Sequence, residues 1–359
     1  MKILALTRYK QKGASSRVRF HQSYDYLSLK ADVISQSLFD DEYLVDLYDN
    51  KKRPLNKLLA YYIKRIIFLL TLKKNDCDVI WLQKELLPFC PAWLEHLFLR
   101  RFRVVADYDD ATFHSYDNHK IWLVRFLYGS KIDQIMARSH TVVVGNSYLM
   151  ARARKAGAKH IQFLPSVIDL DKYSCREYEG EKKTEFVIGW IGSPGSQRLL
   201  QLILPVMAQL AKTHNIVLRL VGATTIEYSN LNIEILPWSE EGEVEAIKSF
   251  DIGIMPVQDE PFQRGKCGFK LIQYMACAVP VVASPVGFNN DVVKDGINGF
   301  LASEPQDWIA AIEKLMDSIE LRKKLGFNGR RMVESDFCFD AVKIKLLDIL
   351  QKSVEIDKV

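Results

Sequence analysis

Short, almost continuously apolar runs alternate with stretches of helical periodicity along this chain, and they do so twice. In the first half the runs Lys2–Thr7, 78–82, 103–106, Thr141–Val144 and 160–164 predict strands, with helices over 17–30, 55–72, 91–100, 121–138 and Ser147–Ala156 between them. Strands buried on both faces carry such runs, and their alternation with helices predicts a doubly wound parallel sheet. The second alternation opens with strand Phe186–Ile191, then helix 197–213, strands 217–221 and 233–236, helix 241–249 and strand 251–255. A basic loop, a short helix and a buried strand over 279–283 follow. After Gly299-Phe300-Leu301 the chain reads as helices Pro305–Asp317, 321–333 and 339–350. The polar run 174–184 separates the two halves and is the clearest linker.

A chain of 359 residues exceeds the usual single core, which agrees with two domains. The six cysteines have neither C-x-x-C pairing nor metal-ligand spacing with histidine, as expected of reduced thiols in the cytoplasm. Met1–Thr7 turns polar too soon for a secretory signal and reads as the first strand. No apolar run is long enough to cross a bilayer. The net charge of +5 is mild but uneven: between Lys51 and Arg103 twelve Lys/Arg, Lys52 and Arg53 among them, face four acids. That region favours anionic partners. The segment 55–72 within it is apolar with basic flanks (Lys57, Lys64, Arg65, Lys73, Lys74). It is either an interfacial helix on an anionic membrane face, each charge adding about 1 kcal/mol, or a core helix with snorkelling lysines.

Candidate chemistry concentrates in Arg264-Gly-Lys-Cys-Gly-Phe-Lys270 and the helix that follows. A loop entering a helix N-terminus presents backbone N–H groups and the positive end of the helix dipole to a phosphate. Gly265 and Gly268 permit close approach, and Lys266 and Lys270 add full charges. With the following Tyr274-Met-Ala-Cys-Ala-Val-Pro-Val-Val-Ala283, the stretch resembles the donor-nucleotide motif of the retaining family 4 glycosyltransferases, which have the GT-B architecture of two Rossmann-like domains facing a cleft. The resemblance covers nearly the whole chain and is strongest from Gly189 onward. That family has two motif glutamates, at the positions of Gly265 and Gln273 here. Gln273 can still hydrogen-bond ribose hydroxyls, but without the charge assistance of a carboxylate.

The resemblance implies an N-terminal acceptor domain over 1–173, a donor domain over 185–335 and a C-terminal helix in 336–359 returning to the first domain. It implies a nucleotide-diphosphate sugar held by Gly192, Ser193, Trp238, Gly265, Lys266, Gly268, Phe269, Lys270 and Gln273. Gly192 and Ser193 follow a strand where α/β sheets bind ligands, and the alternative there is a plain turn. The family usually carries an Arg and a Lys in that loop. Here Arg198 is only an approximate substitute, which shifts phosphate charge onto Lys266 and Lys270. Trp238 either stacks on a base or packs. Gly13, Ser15, Ser16 and Arg17 form a loop of the acceptor side or a simple capped helix start.

Asp109, Asp110 and His114 follow a buried strand. As catalytic candidates beside Lys270 they would stabilise positive charge at the anomeric carbon or orient a hydroxyl. The implied reaction is a retaining, hexosyltransferase-like sugar transfer to a glycan or lipid-linked glycan in cell-surface polysaccharide synthesis. It needs no metal or other cofactor, at a cytoplasmic site that can touch the inner face of the plasma membrane. Two other readings share the architecture: a non-catalytic sugar-nucleotide-binding subunit, and a sugar-nucleotide 2-epimerase. A nucleic-acid partner ranks last, since no nucleic-acid module is evident.

Overall fold

The computed structural model describes residues 1–48, 51, 54–178 and 185–355. Lys52, Arg53, 179–184 of the expected linker and the last four residues lie outside it. The first sheet is formed by β1 (Lys2–Thr7), β2 (Asp32–Ser37), β3 (Val79–Gln83), β4 (Val104–Tyr108), β5 (Thr141–Val144) and β6 (Ile161–Phe163), in the order β2-β1-β3-β4-β5-β6. The second is formed by β7 (Phe186–Ile191), β8 (Ile216–Val221), β9 (Asn232–Leu236), β10 (Ile252–Met255), β11 (Val281–Ala283) and β12 (Gly299–Leu301), in the order β12-β11-β10-β7-β8-β9. Every neighbouring pair is parallel.

Sequence explains the centre of each sheet directly. The runs VIWLQ of β3, VVADY of β4, TVVV of β5 and FVIGWI of β7 are buried at every residue, because helices cover both faces. β2 escaped the sequence reading: DVISQS is an edge strand with a largely exposed surface, so it carries no apolar run. The helix expected over 17–30 is correspondingly shorter and broken, into Ala14–Arg19, a 3₁₀ turn His21–Ser23 and Tyr24–Ser28. The stretch 121–138 divides at Gly129-Ser130 into Trp122–Tyr128 and Lys131–Arg138. Pro205 lacks the N–H an interior helical position needs, and 197–213 accordingly splits into a 3₁₀ run, Pro194–Leu202, and the helix Leu204–Leu210.

The chain forms two units, Met1–Ser166 with Gly265–Cys267 and Val342–Val359, and Val167–Arg264 with Gly268–Ala341. Tyr173 therefore lies in the second unit. Ile168 exchanges backbone hydrogen bonds with Phe337 and Phe339 at 3.0 and 2.8 Å, and Tyr173 O accepts from Arg330 Nη1 at 2.6 Å, so the chain joins that unit before the polar run begins. In the first unit the helix Phe339–Glu355 buries Leu346, Ile349 and Leu350 from Val342 onward, and Ser353 Oγ meets Thr141 Oγ1 at 2.8 Å.

Strand order places the sites. In a doubly wound sheet, ligands bind beyond the carboxyl ends of the strands where the order reverses. That point is β1/β3 in the first sheet and β7/β10 in the second.

Candidate functional site

The carboxyl ends of β1, β3 and β4 carry an interlocked polar cluster. Gln83, the last residue of β3, accepts at Oε1 from Ser16 Oγ (2.7 Å) and from the Arg8 N–H (2.8 Å), and its Nε2 donates to Ser15 Oγ at 3.0 Å. Ser15 Oγ in turn donates to Asp109 Oδ2. Gly13 precedes this turn because a Cβ there would stand 2.5 Å from Tyr9 Cβ. Arg17 is half-buried one residue further on. Of the acceptor-side residues expected from sequence, Ser15 therefore meets Asp109, and Ser16 joins it through Gln83.

Lys84 organises this cluster. Its Nζ lies 2.9 Å from Asp109 Oδ1 and 2.5 Å from Asp110 Oδ2, and its backbone takes a left-handed φ of 62°. A positive φ on a lysine is costly and marks a position that its surroundings dictate. Burial alone would lower the Lys84 pKa, but Asp109 and Asp110 outweigh it and hold the ammonium charged. Burial likewise pushes the Asp109 carboxyl up, and Lys84, Ser15 and Arg19 overcome this and keep it below the usual carboxylate range. One strand along, Arg19 pairs with Asp107 at 2.8 Å and donates to Leu164 O and Pro165 O. Sequence reading gave Lys84 no site role, and took Arg19 only as added charge on the loop after the first strand. The one usable signal was the position of Lys84 directly after a fully buried strand.

His114 is drawn into a different network. Nδ1 meets Asp117 Oδ1 at 2.7 Å and Nε2 meets Tyr148 Oη at 2.8 Å, so both ring nitrogens are engaged away from Asp109 and Asp110. Asp117 is also paired with Arg152 at 2.9 Å. This geometry orients the imidazole as a structural link of the 113–117 turn.

The basic loop splits. Gly265–Cys267 pack within the first unit: Asn146 Nδ2 donates to Lys266 O (3.1 Å), Cys267 Sγ donates to Asp109 O (3.1 Å), and a Cβ on Gly265 would lie 2.5 Å from Ala111 Cβ. From Gly268 the chain belongs to the second unit. Gly268 (φ 61°) begins the helix Phe269–Ala276, whose N-terminus has no side-chain cap. Lys270 Nζ lies 4.0 Å over the Trp190 ring and donates to Ser196 Oγ at 3.3 Å. A Cβ on Gly192 would stand 2.5 Å from that Nζ, so glycine at 192 is what lets the ammonium lie at the end of β7. Ser193 begins the 3₁₀ run beside it. Arg198 instead reaches Glu260, at 3.8 Å, on the surface.

Gln273 is one turn along from Lys270 and buried, its Nε2 donating to Tyr173 Oη at 3.3 Å. Tyr173 Oη donates to Glu243 Oε1, and Trp238 Nε1 donates to Glu243 Oε2 at 2.7 Å. The indole N–H of Trp238 is thus held by Glu243. Neither Tyr173 nor Glu243 was expected at this site. Among the described residues no group of three His, Cys, Asp or Glu stands together as metal ligands.

Part of the chain is similar to known proteins. Residues 185–318 match the model of the "Glycosyl transferases group 1" family. The chain is 30% identical over 186 residues to the capsular polysaccharide biosynthesis glycosyltransferase CapM of Staphylococcus aureus, covering 49% of this chain and 48% of CapM. It is 35% identical over 81 residues to the D-inositol 3-phosphate glycosyltransferase of Paenarthrobacter aurescens, covering 22% of this chain and 19% of that one. The chain thus spans about half or less of these curated relatives. Among solved structures, sucrose-phosphate synthase from Thermosynechococcus elongatus superposes with a TM-score of 0.73 at 15% identity, over 99% of this chain and 100% of that one. HepE of Anabaena in complex with UDP-glucose gives 0.72 at 15%, over 98% and 100%. At that identity the likeness speaks for the fold, and the fold is GT-B.

Proposed function

We propose that this chain, whose residues 185–318 belong to the group 1 glycosyltransferases, moves a sugar from a nucleotide-diphosphate donor to a glycan or lipid-linked glycan acceptor. The observation that carries the reading is the Lys270 ammonium, held over Trp190 at the β7/β10 reversal by a helix whose N-terminus has no side-chain cap. Sugar transfer turns the nucleotide diphosphate into a more anionic leaving group. A fixed cation and oriented N–H groups stabilise that charge as it develops, which lowers the barrier. HepE binds UDP-glucose on the same fold, which supports a nucleotide sugar as donor.

In this reading Gly192, Ser193, Gly268 and Phe269 shape the diphosphate site, Gln273 meets the ribose and Trp238 the base. The Ser15–Asp109–Lys84 cluster, with Asp110, Ser16, Gly13 and Arg17, faces the acceptor. Gly265 and Lys266 contribute by holding the loop that precedes the helix. Transfer is read as retaining and metal-independent, on the family resemblance alone. A role in cell-surface polysaccharide assembly is supported by the match to CapM. The site of action is read as cytoplasmic, with the helix Leu55–Thr71 meeting an anionic membrane face. Leu55, Leu59, Ile63, Ile67 and Leu70 all point to solvent there, while Arg65 anchors the opposite side to Thr7 O and Gln36 O. A non-catalytic binding subunit is the second reading, favoured by the absence of carboxylates at 265 and 273.

Thermal melting with UDP, GDP, ADP and CDP tests the donor site. One nucleotide at 100 times its Kd is expected to stabilise the second unit by about 2.7 kcal/mol. Lys270→Ala is expected to weaken that nucleotide about tenfold or more, through loss of a charge-assisted contact. A shift unaltered by Lys270→Ala would place the diphosphate elsewhere. Binding with no transfer or hydrolysis of any sugar nucleotide would favour the binding subunit.

A further inference from the structure

The side chains of Gln273, Tyr173, Glu243 and Trp238 form one hydrogen-bonded row inside the second unit. Each link has a direction, because the protons can be counted. Glu243 gives both carboxylate oxygens as acceptors, one to the Trp238 indole N–H at 2.7 Å and one to the Tyr173 hydroxyl. A phenol carries a single O–H proton, so once that proton points at Glu243 the Tyr173 oxygen can only accept. Gln273 must then turn its NH₂ toward Tyr173, as it does at 3.3 Å, and its carbonyl Oε1 faces the other way. Gln273 and Lys270 are three residues apart on one helix and share a face.

We propose that Glu243 is a positioning residue that acts through Tyr173 to fix the amide of Gln273, so that Gln273 presents only its carbonyl oxygen to the ribose hydroxyls of the nucleotide. This inference rests on the donor-site reading above. A neutral amide then does the accepting that a carboxylate would do at this position, and the anionic charge is kept two links back. Burial, and then the nearby Glu243 charge, raise the Tyr173 pKa above its ordinary value, which keeps the hydroxyl proton in place. Tyr173, Glu243 and Gln273 are all buried, so bulk water does not compete for these links.

The test compares binding of whichever of UDP, GDP, ADP and CDP stabilises the protein with its 2′-deoxy and 3′-deoxy counterparts. Calorimetric titration is run on the full chain. The wild type is expected to prefer the ribonucleotide. In Tyr173→Phe and in Glu243→Gln that preference is expected to fall about fivefold, the worth of one oriented hydrogen bond. Gln273→Glu alone sets a second carboxylate against a hydroxyl whose proton is already committed, and is expected to bind more weakly. The pair Gln273→Glu with Glu243→Gln moves the carboxylate along the row and is expected to recover the preference. A merely structural row would change melting temperature in these variants without changing the ribose-to-deoxyribose ratio. An unchanged ratio in both Tyr173→Phe and Glu243→Gln, or no recovery in the pair, overturns the inference while leaving the donor site standing. A wild type that binds none of the four nucleotides overturns the donor-site reading itself, and the inference with it.

Discussion

Lys84 shows how a residue with no motif becomes central. It is the first residue past a fully buried strand, has a left-handed backbone, and holds Asp109 and Asp110 together in place of a solvent shell. Removing one partner of a buried ion cluster leaves the others uncompensated. Lys84→Met is therefore expected to cost the first unit about 3 kcal/mol. The Asp109 pKa is depressed on folding, so its contribution to stability is present above the ordinary carboxylate range and is lost as pH falls through the lowered value. Without Lys84, burial pushes that value up. Acid unfolding of the first unit, followed by circular dichroism, is expected to begin at a higher pH in Lys84→Met than in the wild type. Coincident acid transitions would show that the pairing contributes nothing. Gly268 and Lys270 were legible in sequence because their chemistry is contiguous. Lys84 and Glu243 were not, because Asp110 lies 26 residues from Lys84 and Tyr173 lies 70 residues from Glu243.

Among the elements, the helix Leu55–Thr71 buries one side and exposes the other. Arg65 and Leu69 face the sheet, and the Arg65 guanidinium caps the carboxyl ends of β1 and β2. Leu55, Leu59, Ile63 and Ile67 recur every four residues on the other side, which is the spacing of one helical face. The short helix Trp122–Tyr128 adds exposed Trp122, Phe126 and Leu127, the Phe126 side chain at 77%. Exposed apolar faces flanked by lysines suit an anionic interface better than water. Co-sedimentation with phosphatidylserine-rich vesicles is the check. Leu59→Ser, Ile63→Ser and Ile67→Ser together are expected to weaken binding about a thousandfold or more, since each side chain is worth about 1.5 kcal/mol or more when buried. Equal binding by wild type and variant would retire the membrane reading. The periodicity was readable in advance; its outward direction depended on where Arg65 found its acceptors.

At the scale of the whole chain, the C-terminal segment returns to the first unit. Val342 onward belongs to the first unit, where Val342, Leu346, Ile349 and Leu350 are buried and Arg103 Nη1 donates to Ser353 O at 3.4 Å. Deleting 342–355 strips roughly 8 kcal/mol of apolar burial from the first unit, comparable with the whole stability of a domain. Scanning calorimetry of the truncated chain is expected to keep the transition of the second unit and lose that of the first. Loss of both, or of neither, would contradict this division.

The apolar runs and their alternation with helices determined by themselves that this protein is a pair of doubly wound parallel sheets. Burial on both faces leaves a strand no choice but to be apolar, and such a run is visible without any partner. The contiguous loop 264–270 likewise suggested a phosphate site, the reading that the nucleotide titrations test. Tertiary structure alone decided the edge strand β2, the Lys84 cluster, the engagement of both His114 nitrogens and the Gln273–Tyr173–Glu243 row. Polar side chains acquire their meaning from partners distant in sequence, and the strand order chooses those partners by bringing particular carboxyl ends together.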